Sequence, residues 1–454
     1  MPLARLSPLD ASFLEVESPT AHMHVGWVAL FSPPDDHPKP TFQQLRDHVA
    51  ARLLRAPRYR QRLAEVPFGV HTPVWIDDER FDVARHVRRS RATSVGSLVD
   101  RVMSTPLDRA NPLWELWIAD DLADGRIGVV GKAHHCMVDG VAAVELAALL
   151  LDDTPDPPPP PRDEWRPVPA PSSNRILVDA IRERAREPLD LLGLPVRVAR
   201  SPRRVLGLAQ DAERAVRALG HSFGRPAPRS VLNAPISPLR HLARADRPLD
   251  DLRRIKGRFR TTINDVVLAA TSGGVRRFML RRGETPNRLK TMVPVSVRGE
   301  DPKADLGNRI SFVFVELPCD EPDPVRRLLD LHLVMSDRKA SGEPQGGEAV
   351  FKAVSYAPHR LQQAVSRMVA SPWAFNLVVS NIPGPSQPLY MLGCELEEAY
   401  PVVPLADRHA LSVGVTTIKD GAFFGVYADR KSVPDAELLA ADIGASVEEL
   451  LLTT

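Results

Sequence analysis

The spacing of hydrophobic positions changes several times along the 454-residue chain, and each change marks a different kind of element. "AHMHVGWVALF" (21–31) and "GRIGVVGKAHH" (125–135) are valine-rich with short apolar alternations, which predicts strands. "TFQQLRDHVAARLL" (41–54) and "GVAAVELAALLLDD" (140–153) repeat apolar residues every three or four positions, which predicts helices. Asp124-Gly125, between "LWELWIADDL" and "RIGVVGKAHH", is a hairpin signal. It favours an antiparallel or mixed sheet over a series of right-handed βαβ units. In the second half, helical "TINDVVLAATSGGVRRFML" (262–280) alternates with strand-like "LKTMVPVSVR" (289–298), "RISFVFVELP" (309–318), "FNLVVSNIP" (375–383) and "GAFFGVYADR" (421–430). Both halves are therefore α/β.

Between them, "DDTPDPPPPPRDEWRPVPAPSSNR" (152–175) carries too many prolines for helix or sheet and predicts an extended, semi-rigid crossing. The Arg-rich stretch that follows, to residue 229, has helical periodicity in "ILVDAIRERAREPLDLL" and "VLGLAQDAERAVRALG", which predicts two or three amphipathic helices. The chain thus divides into an N-terminal domain (1–151), a linker with basic helices (152–230) and a C-terminal domain (231–454). A chain of this length normally splits into more than one core.

Composition narrows the function classes. With 59 Lys+Arg against 57 Asp+Glu, the net charge of +2 gives no whole-chain field that would hold nucleic acid. Cys136, Cys319 and Cys394 are far apart and form no CxxC, so neither a disulfide framework nor a zinc site is expected and a cytoplasmic setting fits. Acids interrupt the N-terminal "MPLARLSPLDASFLEVES", which is not the apolar core of a signal peptide, and no run reaches the ~18 apolar residues of a membrane span.

The chemistry concentrates in "GKAHHCMVDG" (131–140), where His134, His135, Asp139 and Gly140 form HHxxxDG between a predicted strand and a predicted helix. A turn held by rigid elements at both ends suits a reacting group. Neutral imidazole can take a proton from a hydroxyl and return it to a leaving group, help worth ~10²–10⁴-fold. Asp139 can orient His135 or brace the turn, and Gly140 permits a backbone angle or approach that a side chain would block. A metal reading is weaker, because no HExxH is present and the cysteines are dispersed, and packing is the expected role of Cys136.

Together with "LSPLDASFLEVESPTAHMHVG", "NPLWELWI" (111–118), "TINDVVLAA" (262–270), "VPVSVRGED" (293–301), "LGNRISFVFVELP" (306–318) and "SNIPGP" (380–385), this stretch resembles the bacterial wax ester synthase/acyl-CoA:diacylglycerol acyltransferase family. HHxxxDG alone is shared with the wider CoA-dependent acyltransferase superfamily; the PLW and ND motifs narrow it. The resemblance implies two chloramphenicol acetyltransferase-like α/β domains with mixed sheets joined by the Pro-rich crossover. It implies His135 as general base, His134 as its supporting neighbour, Asp139 in a structural role with Arg298 as ion-pair partner, and Asn264 and Asp265 as the ND motif.

Oxyanion or substrate contact falls to Ser380, Asn381 or Ser412, each of which reads equally well as an ordinary turn or strand residue, as Asn264-Asp265 reads as a helix cap. Fatty acyl-CoA is then a substrate, with no cofactor or metal, and the acceptor is diacylglycerol or a long-chain alcohol. The basic helices either touch a membrane or lipid droplet or pack on the enzyme. Two other readings stand beside this one: a condensation-type acyltransferase fed by a carrier protein, and a lipid-surface binding protein without turnover.

Overall fold

A computed structural model describes residues 3–34, 38–137, 150–185, 225–296, 310–341 and 359–454. In the N-terminal half the elements run α1 (Pro8–Val16), β1 (His24–Ser32), α2 (Phe42–Arg52), β2 (Gln61–Ala64), β3 (Val74–Asp77), α3 (Val83–His86), β4 (Val87–Arg89), α4 (Val95–Met103), β5 (Trp114–Ala119) and β6 (Ile127–His134). The second half supplies β7 (Arg240–Pro248), β8 (Leu289–Ser296), β9 (Ile310–Leu317), β10 (Leu377–Ile382), β11 (Tyr390–Met391), β12 (Cys394–Val402), β13 (Leu411–Ile418) and β14 (Gly421–Asp429). Its main helices are Leu249–Phe259, Ile263–Arg281, Pro324–Ala340, His359–Val369 and Ala436–Leu451.

Two six-stranded mixed sheets result, in the orders β11-β12-β1-β6-β5-β4 and β7-β14-β13-β10-β8-β9. The hairpin expected at Asp124-Gly125 joins β5 to β6, with Gly125 at φ +81°, a left-handed angle that glycine adopts without a Cβ penalty. The four strand-like runs of the second half form β8, β9, β10 and β14. Thr262 caps Ile263–Arg281 through a reciprocal capping box with Asp265.

The first sheet is completed from the other end of the chain. β12 pairs antiparallel with β1, Trp27 opposite Pro401 and Ala29 opposite Ala399, so the second half donates two strands to the first. Pairing β1 with β6 sets Trp27 opposite Gly131 and His24 opposite His134. Side chains alternate across a strand, so Trp27, Ala29, Pro401 and Ala399 share one face, while Lys132 and His134 share the other. Lys132 on that second face reaches the Val102 carbonyl at the end of α4 (3.1 Å).

The Pro-rich segment is irregular to residue 172 and lies along the N-terminal half. Asp163 pairs with Arg60, the Val168 amide donates to Asp77 (2.9 Å) and the Ala170 amide to Glu79 (2.8 Å). A helix follows over 173–185, with Ile176 and Ala180 packed on Val66, Val74 and Ile76. The rest of the predicted basic helices, from 186 to 224, and most of the helix predicted after HHxxxDG lie outside the described residues. Among the described residues no helix is long and apolar enough to cross a membrane.

Candidate active site

β6 ends at His134, and the next three residues form the turn that opens HHxxxDG. The His135 amide donates to the Met23 carbonyl just before β1 (3.0 Å), so the pairing of β1 and β6 carries on into the turn. The register of β1 and β6 puts His134 on the face opposite Trp27 and Ala29, and His135 follows in the turn, across from Met23 at φ +49°.

The two rings have different surroundings. His135 is half-buried and stacks on Phe13 of α1, ring centroids 3.6 Å apart and planes within 9°. His134 is buried; its Nδ1 accepts from the Cys136 amide (3.1 Å) and its Nε2 lies 3.6 Å from Glu17 Oε2. Glu17 also pairs with Arg109. Burial acts to raise the Glu17 carboxyl pKa, but His134 and Arg109 together outweigh it and hold the carboxyl below its ordinary value.

Beside His134 lie His24 and Lys132. Burial drives His24 well below the ordinary imidazole value, helped by the positive charge of Lys132, and the ring stays neutral. Lys132 is fully buried, with Nζ on the carbonyls of Val102 and Thr105 and 3.1 Å from Glu115. Burial lowers its pKa, and these acceptors make it a bracing group. Cys136 packs against Leu6, Trp75 and Leu113, its thiol pushed well above the usual range by burial. Among the described residues no cluster of three or more His, Cys, Asp or Glu could hold a metal ion.

On the Trp27 and Ala29 face of the sheet is a cavity of about 290 Å³. Its walls are Trp27, Ala29 and Phe31 of β1, Leu396, Ala399 and Pro401 of β12, Leu150 and Leu151, and the Ile382–Pro385 loop. The hydroxyls in this lining are engaged, Thr416 donating to the Ile382 carbonyl (2.8 Å) and Tyr400 to Glu398 (2.8 Å), which leaves hydrocarbon as the main surface. Two close approaches shape it. A Cβ on Gly131 would stand 2.5 Å from the Trp27 indole, and one on Gly384 would stand 2.0 Å from the Thr417 carbonyl oxygen. Glycine at these points lets Trp27 lie across β6 and lets the Ile382–Pro385 loop sit on β13.

The segment that returns from HHxxxDG is clamped at its far end. His48 Nε2 donates to the Leu150 carbonyl (2.8 Å), Arg52 pairs with buried Asp152, and Asp152 exchanges two backbone hydrogen bonds with Tyr390 (2.8 Å each). One clamp thus ties together α2, the chain after the motif and the strand pair donated by the second half.

Of the other residues singled out from sequence, Asp139, Gly140 and Arg298 lie outside the described residues. Asn264 is half-buried in the first turn of Ile263–Arg281. Asp265 is buried, accepts from the Thr262 amide (2.8 Å) as a cap and pairs with His332 Nδ1 (2.8 Å). Ser380 is buried in β10 and Asn381 half-buried beside it, immediately before the cavity loop. Ser412 is fully buried and donates to the Val403 carbonyl (2.7 Å). Trp114 is a core residue, its indole N–H on the Tyr59 carbonyl (2.7 Å). Sequence reasoning passed over Phe13 and Glu17. Their i, i+4 spacing at the end of α1 was the available signal, but nothing local ties it to a motif some 120 residues away.

Comparison with known proteins gives a consistent picture. The family described as wax ester synthase/diacylglycerol acyltransferase catalytic domain matches residues 6–267, and the WS/DGAT C-terminal domain matches 306–451. A Mycobacterium tuberculosis protein named "Probable diacyglycerol O-acyltransferase tgs1" is 32% identical over 98% of this chain and 95% of its own length. A second from that organism, named with the same activity and tgs2, is 31% identical over 98% of each. Among solved structures, a wax ester synthase/diacylglycerol acyltransferase from Marinobacter aquaeolei VT8 superposes with a TM-score of 0.70 at 27% identity, covering 99% of both chains. The starter condensation domain of rhizomide synthetase shares the fold, with a TM-score of 0.60 at 14% identity over 99% of this chain and 94% of its own.

The clamp carries a pH signature. Burial pushes His48 down from 6.5 to about 4, so between those values the unfolded chain binds a proton that the folded chain does not. The stability contributed by the neutral ring is complete above about pH 6.5 and is lost as the pH falls toward 4. Thermal midpoints measured from pH 7 to 4 should fall less steeply for His48→Asn than for the parent; parallel curves would remove His48 as a source of the acid sensitivity.

Proposed function

This chain belongs to the wax ester synthase/diacylglycerol acyltransferase family and is an O-acyltransferase, and we propose that it esterifies diacylglycerol, a long-chain alcohol or both with the acyl group of acyl-CoA, His135 serving as general base. The observation that supports the base assignment is that His135 stands in the turn directly after β6, whose partner β1 walls a hydrocarbon-lined cavity. One substrate's alkyl chain occupies that cavity. Its burial drives binding at ~25 cal/mol per Å² of apolar surface.

The acceptor hydroxyl gives its proton to the His135 ring as its oxygen attacks the thioester carbonyl. The resulting oxyanion collapses, the C–S bond breaks, and the proton passes from His135 to the departing CoA sulfur. No covalent enzyme intermediate forms. Stacking on Phe13 holds the imidazole plane, which limits the reorientation needed at the moment of attack. Ser380 and Asn381, next to the cavity loop, are the proposed oxyanion contacts. Ser412, whose hydroxyl already serves the Val403 carbonyl, braces β13. Asp139, with Arg298 as its ion-pair partner, and Gly140 are proposed as supporting residues of the motif on the family resemblance.

The enzyme works at a lipid surface. In support, Phe68 is 89% exposed on a loop at φ +62°, and Val178 and Ile181 are exposed on the neighbouring helix 173–185. Arg184 of that helix donates to the Val70 carbonyl of the loop (3.3 Å), while Arg175 and Arg182 are exposed on the same helix. Exposed apolar side chains on an element that also carries exposed arginines suit an anionic bilayer or droplet.

Purified protein given palmitoyl-CoA should release CoA thiol only when dioleoylglycerol or hexadecanol is present, and His135→Ala should lower that rate by ~10²–10⁴-fold with its fold intact. An equally active variant would refute the base; silence with every alcohol tried would refute the substrate class and direct attention to carrier-bound donors. Ala399→Trp, which fills the cavity, should reduce turnover of long-chain substrates about tenfold or more while sparing short ones; an unchanged chain-length profile for both donor and acceptor would mean the cavity is not a chain site. In flotation with phosphatidylserine vesicles, Phe68→Asp should reduce the bound fraction severalfold, and equal binding would count against this contact surface.

A further inference from the structure

A single N-terminal element touches both histidines of the motif. Phe13 lies against the His135 ring, and Glu17, the residue that ends α1, faces His134 four positions later. The contacts of His134 fix where its proton must be. The Cys136 amide donates to Nδ1, so Nδ1 is the bare nitrogen of the neutral ring and the ring hydrogen sits on Nε2. Nε2 is the atom that faces Glu17 Oε2, at 3.6 Å, longer than a hydrogen bond but close enough for the carboxylate to favour an N–H over a lone pair. The same Oε2 accepts from Arg109, which holds the carboxylate in place.

The opposite tautomer would fail at both ends. It would set the Nδ1 hydrogen against the Cys136 amide hydrogen and the bare Nε2 against a carboxylate. Cys136 directly follows His135, so the hydrogen bond from its amide to His134 fixes the peptide that links the proposed base to the rest of the turn. The path therefore runs from Arg109 to Glu17, to the His134 ring, to the Cys136 amide and so to His135.

We infer that Glu17 is a positioning residue for acyl transfer, acting through His134, whose tautomer it selects and whose ring in turn fixes the backbone that carries His135; its effect on rate rests on the base assignment above. Glu17 does not touch the reacting atoms. Its loss leaves the Cys136 amide as the one described contact favouring the Nε2–H tautomer and removes the anchor at the other end of the ring, and the turn then samples geometries in which the hydroxyl and thioester are misaligned. A misplacement of about 1 Å can cost ~10²-fold in rate.

The test compares Glu17→Leu, which is similar in size and cannot accept a hydrogen bond, with Glu17→Gln, whose amide oxygen still can. Glu17→Leu should lower kcat by about 10- to 100-fold with the KM for acyl-CoA within about twofold, and Glu17→Gln should recover most of the loss. In histidine-labelled protein, long-range ¹H–¹⁵N correlations, with the His134 signal identified by its loss in His134→Asn, should show the Nε2–H tautomer in the parent and in Glu17→Gln. A larger Nδ1–H fraction than in the parent is expected in Glu17→Leu. The inference is overturned if Glu17→Leu keeps the parental kcat, if Glu17→Gln is as slow as Glu17→Leu, or if the parent carries the hydrogen on Nδ1. Should Glu17→Leu fail to fold, the tautomer in the parent and the kcat of Glu17→Gln still decide. His135→Ala separates the two assignments: retained activity there would remove the base, whereas its loss alongside an indifferent Glu17→Leu would remove Glu17 alone.

Discussion

The placement of β1 between β6 and β12 is the constraint from which the rest of the site follows. Because side chains alternate with a period of two, a one-residue slip in either pairing would send Trp27, Ala29 and Phe31 to the α4 face and leave no apolar cavity. The same register brings the chain just before β1 alongside the end of β6. That is why α1, remote in sequence, meets the HHxxxDG turn, and why a backbone hydrogen bond to Met23 and a ring contact to Phe13 can both act on His135. Strand pairing thus supplies the precision with which the HHxxxDG turn is held.

Close to this frame the interior is unusually polar. Lys132, His24 and His134 are all buried near the joined ends of β1 and β6, an arrangement that would be costly if each carried a charge. The structure avoids that in two ways. Lys132 is surrounded by two carbonyls and the Glu115 carboxylate, and His24 stays uncharged through burial. Glu17 reaches in from α1 with its charge matched by Arg109. Charge is thus balanced within a few ångströms of the HHxxxDG turn.

Much of this was legible in the sequence because it is local. The strand before HHxxxDG, the hairpin at Asp124-Gly125, the capped helix beginning at Ile263 and the lack of helix and strand over most of the Pro-rich segment follow from periodicity and turn chemistry within windows of ten to twenty residues. The donated strand was not legible. "CELEEAYPV" has mixed apolar and acidic positions, with Glu398 reserved for Arg126 and Tyr400, and only its pairing with β1 explains the pattern. The acids in the N-terminal "FLEVES" were recognised as breaking an apolar run. Their purpose, Glu15 meeting Gln363 and Glu17 meeting His134 and Arg109, depends on partners that the fold brings together from elsewhere in the chain. Cavity shape was hidden for the same reason, since its walls come from β1, β12, the residues after the motif and the Ile382–Pro385 loop.

The donated strand also sets a timetable for synthesis. β1 is among the first elements to leave the ribosome, and β6 can cover one of its edges soon afterwards, but the other edge waits for β12, roughly 370 residues later. At about 5–20 residues per second that interval is on the order of 20 to 75 seconds. Throughout it a long apolar strand offers unpaired N–H and C=O groups to any other nascent chain on the same message. The cavity beside the HHxxxDG turn is therefore completed late, by closure of a sheet whose first strand has to be shielded until about the last sixty residues of the protein arrive.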